Sequence, residues 1–92
     1  MAKLHKHEPF GSPAQYWFFC PGCECSHAFT VPPWTFNGSD DAPTFVPSLL
    51  CNKDDPATRC HLFMTNGTIQ FLPDCHHKLA GKVVSVPEWE GF

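Results

Sequence analysis

A mostly β fold, a small α+β one at most, is what this sequence predicts, and three observations carry the prediction. Ten prolines and six glycines spread over 92 residues leave few stretches long enough for a helix, since an interior proline costs about 3 kcal/mol there. An Asn66-Gly67 pair stands between two runs of alternating apolar residues, which is the pattern of a β-hairpin closed by a type I′ turn. Six cysteines and six histidines offer a metal staple to a chain so short that folding buries only about two-thirds of its unfolded surface.

The elements follow in order. Residues 1–15 show neither a strand nor a helix period and read as a lead-in segment or an edge strand, ahead of a single small metal-binding domain over 16–92. An aromatic run at 16–20 enters Cys20-Pro21-Gly22-Cys23, and 26–31 then alternates. That describes a hairpin with two cysteines at its tip. Pro32 and Pro33 end its second strand, Asn37-Gly38-Ser39-Asp40-Asp41 is a loop, and Pro47 makes the strand over 44–50 an edge or a bulged one. Residues 52–58 read as an exposed loop. Residues 76–80 suit one short helical turn closed by Gly81, and 83–86 a last strand.

The register of the Asn66-Gly67 hairpin follows from its two-residue loop. Thr65 pairs with Thr68, Met64 with Ile69, Phe63 with Gln70, Leu62 with Phe71, His61 with Leu72 and Cys60 with Pro73. One face then carries Cys60, Leu62, Met64, Ile69, Phe71, Pro73 and, if the strand persists, Cys75. The other carries His61, Phe63, Gln70, Leu72 and Asp74.

Charge narrows the function classes. The formal net charge is −3 and the six lysines and arginines are not clustered, so a phosphate backbone is repelled and nucleic acid is an unlikely partner. No apolar run approaches the roughly 20 residues that a helix needs to cross a bilayer, and the N-terminus lacks the apolar segment of a secretory signal. The expectation is a cytoplasmic protein with no membrane partner. Thiols stay reduced there, which favours zinc over disulfides as the use of the cysteines.

Cys20-x-x-Cys23 in an aromatic hairpin has the spacing of a zinc knuckle, in which turn amides point at two thiolates on one ion. A structural zinc takes four ligands, and the hairpin register supplies the others. Cys60 and Cys75 lie diagonally on one face, so Cys20, Cys23, Cys60 and Cys75 form an available tetrahedron, with His77 as the competitor for Cys75. His27 is either a further ligand or a satisfied core histidine. Cys25 and Cys51 fall outside the paired pattern and read as small buried hydrophobes, and His76 has no pattern around it. On the opposite face, His61 and Asp74 are diagonal neighbours, so the carboxylate can orient the imidazole. No nucleophile accompanies them in the pattern, which makes a structural or ligand-positioning use the preferred expectation.

Several motifs occur in one order: Phe19-Cys20-Pro21-Gly22-Cys23 with His27, Trp34-Thr35-Phe36-Asn37-Gly38, Pro43-Thr44-Phe45-Val46-Pro47-Ser48, Cys60-His61-Leu62-Phe63, Asn66-Gly67-Thr68-Ile69-Gln70-Phe71 and Asp74-Cys75-His76-His77-Lys78-Leu79-Ala80-Gly81. Together they resemble a small protein family of unknown function, common in phages and prophages, that automated naming often labels ammonia monooxygenase. The resemblance covers about residues 16–87. It implies a phage setting and a metal site with polar companions, drawn from Cys20, Cys23, His27, Cys60, His61, Asp74, Cys75 and His77, with Cys25, Cys51 and His76 outside it. It implies no mechanism. The monooxygenase label is discounted, because the chain has neither membrane spans nor a recognisable copper site. Some longer relatives sit beside ubiquitin-like conjugation genes.

Two readings compete. The first is a non-catalytic, zinc-stapled accessory module of a phage or prophage that binds a host protein, such as a defence or regulatory factor. The alternative is a zinc-dependent hydrolase in which His61, Asp74 or His27 moves protons for a water on an open metal position. Ligand count separates them, because four protein ligands close a site and three leave room for water.

Overall fold

The computed structural model describes residues 3–90. It is all-β, with no helix among those residues and eight strands in two antiparallel sheets. The first sheet has the order β1-β2-β3, from His5–His7, Ala14–Cys20 and Cys25–Val31. The second has the order β4-β5-β6-β7-β8, from Thr35–Phe36, Phe45–Cys51, Cys60–Thr65, Thr68–Phe71 and Val83–Ser85. No described helix is long and apolar enough to cross a membrane.

Alternation along each strand builds one core between the sheets. The first sheet contributes Phe18, Cys20 and Phe29, and the second Phe45, Leu49, Cys60, Leu62, Met64, Ile69 and Phe71, all buried. Phe29 stacks on Phe45 across the interface, with ring centroids 4.1 Å apart, and Phe36 lies on Phe45 at 4.6 Å. This aromatic column sets the distance between the sheets, and it brings the tip of the first hairpin over the open end of the second.

The Asn66-Gly67 hairpin has the expected register from Leu62↔Phe71 to Thr65↔Thr68, and both turn residues have positive φ, 49° and 78°. Cys60, Leu62, Met64, Ile69 and Phe71 are buried, while Phe63 and Gln70 are exposed. The strand does not persist to Cys75. β7 ends at Phe71, and a turn closed by the Cys75 N–H on the Leu72 carbonyl, 3.2 Å, carries the chain round the hairpin end.

Residues 76–80 form hydrogen-bonded turns, with Ala80 N–H donating to the His77 carbonyl and Lys82 N–H to Leu79. Gly81, at φ 78°, closes them. Cys51 packs at the core's edge. Cys25, expected inside, is exposed, because the second sheet, through Cys60, covers Cys20 and leaves its partner across the last rung of the hairpin open.

Pro47 is the irregular point of the second sheet. β5 is bonded on both sides, to β4 and to β6, so it is interior. Its pairing with β6 jumps from Phe45↔Met64 to Leu49↔Leu62, leaving a bulge over residues 46–48. A proline has no N–H to give to the ladder, which is why the bulge falls there. The Trp34 indole N–H pins the bulge by donating to the carbonyls of Pro47, 3.0 Å, and Ser48, 3.4 Å.

Candidate functional site

Two polar clusters occupy opposite faces of the β5–β6 region. On the outer face, the bulge aims Ser48 at the neighbouring strand, where its Oγ lies 3.2 Å from His61 Nε2. The other ring nitrogen, Nδ1, is 3.3 Å from Asp74 Oδ2. With a carboxylate beside Nδ1, the neutral ring carries its proton there and Nε2 is free to accept from the Ser48 hydroxyl. The His61 side chain is 24% exposed and that of Asp74 41%, so the row is open to solvent along one side. These distances are at the long end for a nucleophile, base and orienting carboxylate, as is usual without a bound reactant.

The sequence reading found no nucleophile beside His61 and Asp74; the fold brings the Ser48 hydroxyl to them. The hairpin register places the other two, but Ser48 reaches them through a bulge and a pairing with β5 that no local pattern specifies.

On the inner face, Cys20, Cys23, His27 and Cys60 bring one ligating atom each within 4.8 Å of all the others, the arrangement needed to hold a metal ion. The first hairpin supplies three of them. Cys20 ends β2, Cys23 lies in the turn with its N–H donating to Cys20 Sγ at 3.4 Å, and His27 sits on β3 opposite Phe18. Cys60 opens β6, and its Sγ is 3.9 Å from that of Cys20. His27 Nε2 is buried and has no hydrogen-bond partner, which in a folded interior calls for a cation or a proton acceptor at that spot. Such a donor set fits a metal ion.

Cys60 also belongs to a second group with Cys75 and His77 that could hold an ion, and both of those side chains make hydrogen bonds as well. Cys75 Sγ accepts from the His61 N–H at 3.2 Å and donates to the His61 carbonyl at 3.1 Å. His77 Nδ1 accepts from the Leu79 N–H at 3.2 Å, so the neutral ring carries its proton on Nε2, 3.6 Å from Cys60 Sγ. Burial pushes the His77 pKa down and keeps the ring neutral. Gly22 of the Cys-Pro-Gly-Cys turn makes room for that ring, since a methyl group there would overlap it. His76, without a pattern in the sequence, places Nε2 3.3 Å from Cys23 Sγ.

Without a metal, the cluster shares protons unevenly. A hydrogen bond from Cys60 lowers the Cys20 pKa to about 4 against the opposing effect of burial, with His27 and the Cys23 amide helping. The Cys60 thiol is pushed up by its bond to Cys20 and by burial, and burial raises that of Cys23. Burial would lower His27, but Cys20, Cys51 and Cys23 outweigh it and raise the ring to about 11. The metal-free cluster thus pairs a Cys20 thiolate with a protonated His27 and keeps Cys23 and Cys60 as thiols, and a cation bound there would displace those protons.

Comparison with curated proteins and with solved structures finds no match. A family model does match, over residues 2–72, and its description is "Bacterial ubiquitination-like system serine protease (BubE)". The matched stretch contains Ser48, His61 and the four-membered Cys/His cluster, and it stops just short of Asp74. On this match over most of its length, the chain belongs to the BubE family.

Proposed function

We propose that the protein is a serine protease in which Ser48 is the nucleophile, His61 the general base and Asp74 the group that orients His61. The observation that carries this reading is the continuous row Ser48 Oγ, His61 Nε2, His61 Nδ1, Asp74 Oδ2, with separations of 3.2 and 3.3 Å. The family description supports it independently and points to a ubiquitin-like protein as the substrate class. The partner is then the C-terminal tail of a ubiquitin-like protein of a bacterial conjugation system, in place of the host defence factor expected from the sequence. The bacterial cytoplasm suits its six free cysteines.

The reaction uses the chain's own groups. Ser48 Oγ attacks the scissile carbonyl carbon while its proton passes to His61 Nε2. The tetrahedral intermediate collapses, and His61 returns that proton to the departing amine or alcohol. Water, deprotonated by His61, then attacks the Ser48 ester, and His61 returns that proton to Ser48 Oγ as the acid is released. Asp74 holds the tautomer and stabilises the imidazolium.

We assign the metal as zinc, held by Cys20, Cys23, His27 and Cys60, with Cys75 and His77 as hydrogen-bonding supports in place of ligands. Two thiolates on a tetrahedral zinc with Zn–S bonds of about 2.3 Å lie about 3.8 Å apart, close to the 3.9 Å between Cys20 and Cys60. Four protein ligands close the site, so zinc would serve as a cross-link between the two hairpins. That assignment sets aside the zinc-hydrolase alternative, in which His27 moves protons.

A fluorophosphonate probe tests the proposal. Labelling confined to Ser48, abolished in Ser48→Ala and His61→Ala while their metal content and melting curves stay close to those of the parent, is the expected result. A folded, metal-loaded protein that resists the probe and leaves ubiquitin-like precursors uncut would return the reading to a binding module.

A further inference from the structure

We infer that the apolar residues around Ser48 and His61 select a substrate whose acyl-side residue, the one whose carbonyl Ser48 attacks, carries a large apolar side chain. The inference rests on the protease reading above and adds a substrate preference to it.

The outer face of the second sheet is unlike an ordinary solvated strand surface. Leu50 and Phe63 are each 41% exposed, and both flank His61. Leu50 is its direct partner across β5 and β6, while Phe63 lies two residues further along β6 and so on the same face. On the remaining side, Leu72 donates its N–H to the His61 carbonyl at 2.9 Å; it is half-buried yet is not among the residues packed on the core. Apolar side chains thus border the base from β5, along β6 and from the chain leaving β7.

A chain that presents a carbonyl to Ser48 has to lie across this collar. Because the apolar groups stand on three sides of His61, the acyl-side residue meets one of them whichever way the peptide runs. The face is also open. Grooves of 370 and 450 Å³ occur near the 21–24 turn, and neither is lined by Ser48, His61 or Asp74. An open apolar face suits an extended tail delivered by a folded protein better than a small molecule, which needs a concavity to bury most of its surface.

Peptide boronic acids, which bind a serine nucleophile reversibly through boron, supply the test. Acetylated dipeptide boronates bearing leucine, phenylalanine, glutamate or lysine side chains next to boron would compete with fluorophosphonate labelling of Ser48 in the zinc-loaded protein. Leucine and phenylalanine forms are expected to protect Ser48 at concentrations about tenfold lower than the charged forms. Leu50→Ala and Phe63→Ala, at exposed positions, are expected to shrink that ratio toward one. Val83→Ala, on β8 and two strands away, is expected to leave it intact. Equal or better protection by the charged boronates, or an undiminished preference in Leu50→Ala and Phe63→Ala, would overturn the inference while leaving the protease standing. Absence of any Ser48 labelling would instead defeat the protease reading, and the inference with it.

Discussion

Replacing two adjacent residues, Cys60 and His61, separates the metal centre from the catalytic row, because alternation puts them on opposite faces of β6. Cys60 is fully buried, with Sγ 3.9 Å from Cys20 Sγ and 3.6 Å from His77 Nε2. Cys60→Ser exchanges a soft thiolate for a hydroxyl that binds zinc poorly. Structural zinc supplies apparent free energies of about 10 to 16 kcal/mol, as large as the whole stability of a small domain. The expected outcome is loss of metal and of a cooperative melting transition together. His61→Ala removes hydrogen bonds to Ser48 and Asp74 from a partly exposed ring, a loss of about 1 to 2 kcal/mol, so fold and metal survive. Its catalytic loss is far larger, about 10⁴-fold or more in kcat, as for removal of the base from other catalytic triads. Elemental analysis, a thermal melt and fluorophosphonate labelling of both purified variants read the three quantities. A His61→Ala protein that loses its metal, paired with a Cys60→Ser protein that keeps it, would refute the assignment of faces and with it the separation of cross-link from catalysis.

Asp74→Asn keeps the fold and the metal but favours the wrong His61 tautomer, and kcat is expected to fall about 10⁴-fold; wild-type turnover would remove Asp74 from the mechanism. Stripping zinc with a strong chelator should unfold the chain, and refolding with cobalt should restore both structure and a kcat close to that of the zinc form, since no step passes through the metal. A kcat that changes sharply with the metal would point to a metal-activated water. Cys25→Ser and Cys51→Ser should each retain one equivalent of metal by elemental analysis. Gly22→Ala drives a methyl into the His77 ring and so displaces the ring nitrogen that faces Cys60 Sγ, and metal affinity in a chelator competition should drop about 10-fold or more.

What was legible in the sequence was local. The Asn66-Gly67 turn determines its own register, and from it the inward Cys60, the outward His61 and the proximity of Asp74 all follow. The Cys20-x-x-Cys23 turn is equally self-contained. What was not legible depends on contacts distant in sequence. Ser48 meets His61 only because Pro47 breaks the ladder and Trp34, from the bend before β4, holds the bulge. Cys60 joins Cys20, Cys23 and His27, all on the first hairpin, only because stacked phenylalanines set one sheet over the other. Cys75 was placed on the inner face by extending β7 too far, and the turn after Phe71 instead sends it to the His61 backbone, still near Cys60.

The interleaving of the two clusters along the chain has a physical consequence. Cys60 precedes His61 on one arm of the hairpin, and Asp74 precedes Cys75 on the other, so each sulfur adjoins a member of the proposed catalytic row. The open end of a hairpin is where strands fray, since few tertiary contacts hold it, yet a catalytic row tolerates displacements of only about 0.5 Å. Cys60 would secure one side through the proposed metal site, and Cys75 grips the His61 peptide by accepting from its N–H and donating to its carbonyl. A chain of 92 residues has little core with which to fix an exposed Ser-His-Asp row. Placing the cross-link directly behind that row supplies the rigidity at the point where the chemistry needs it, and leaves the outer face free for a substrate tail.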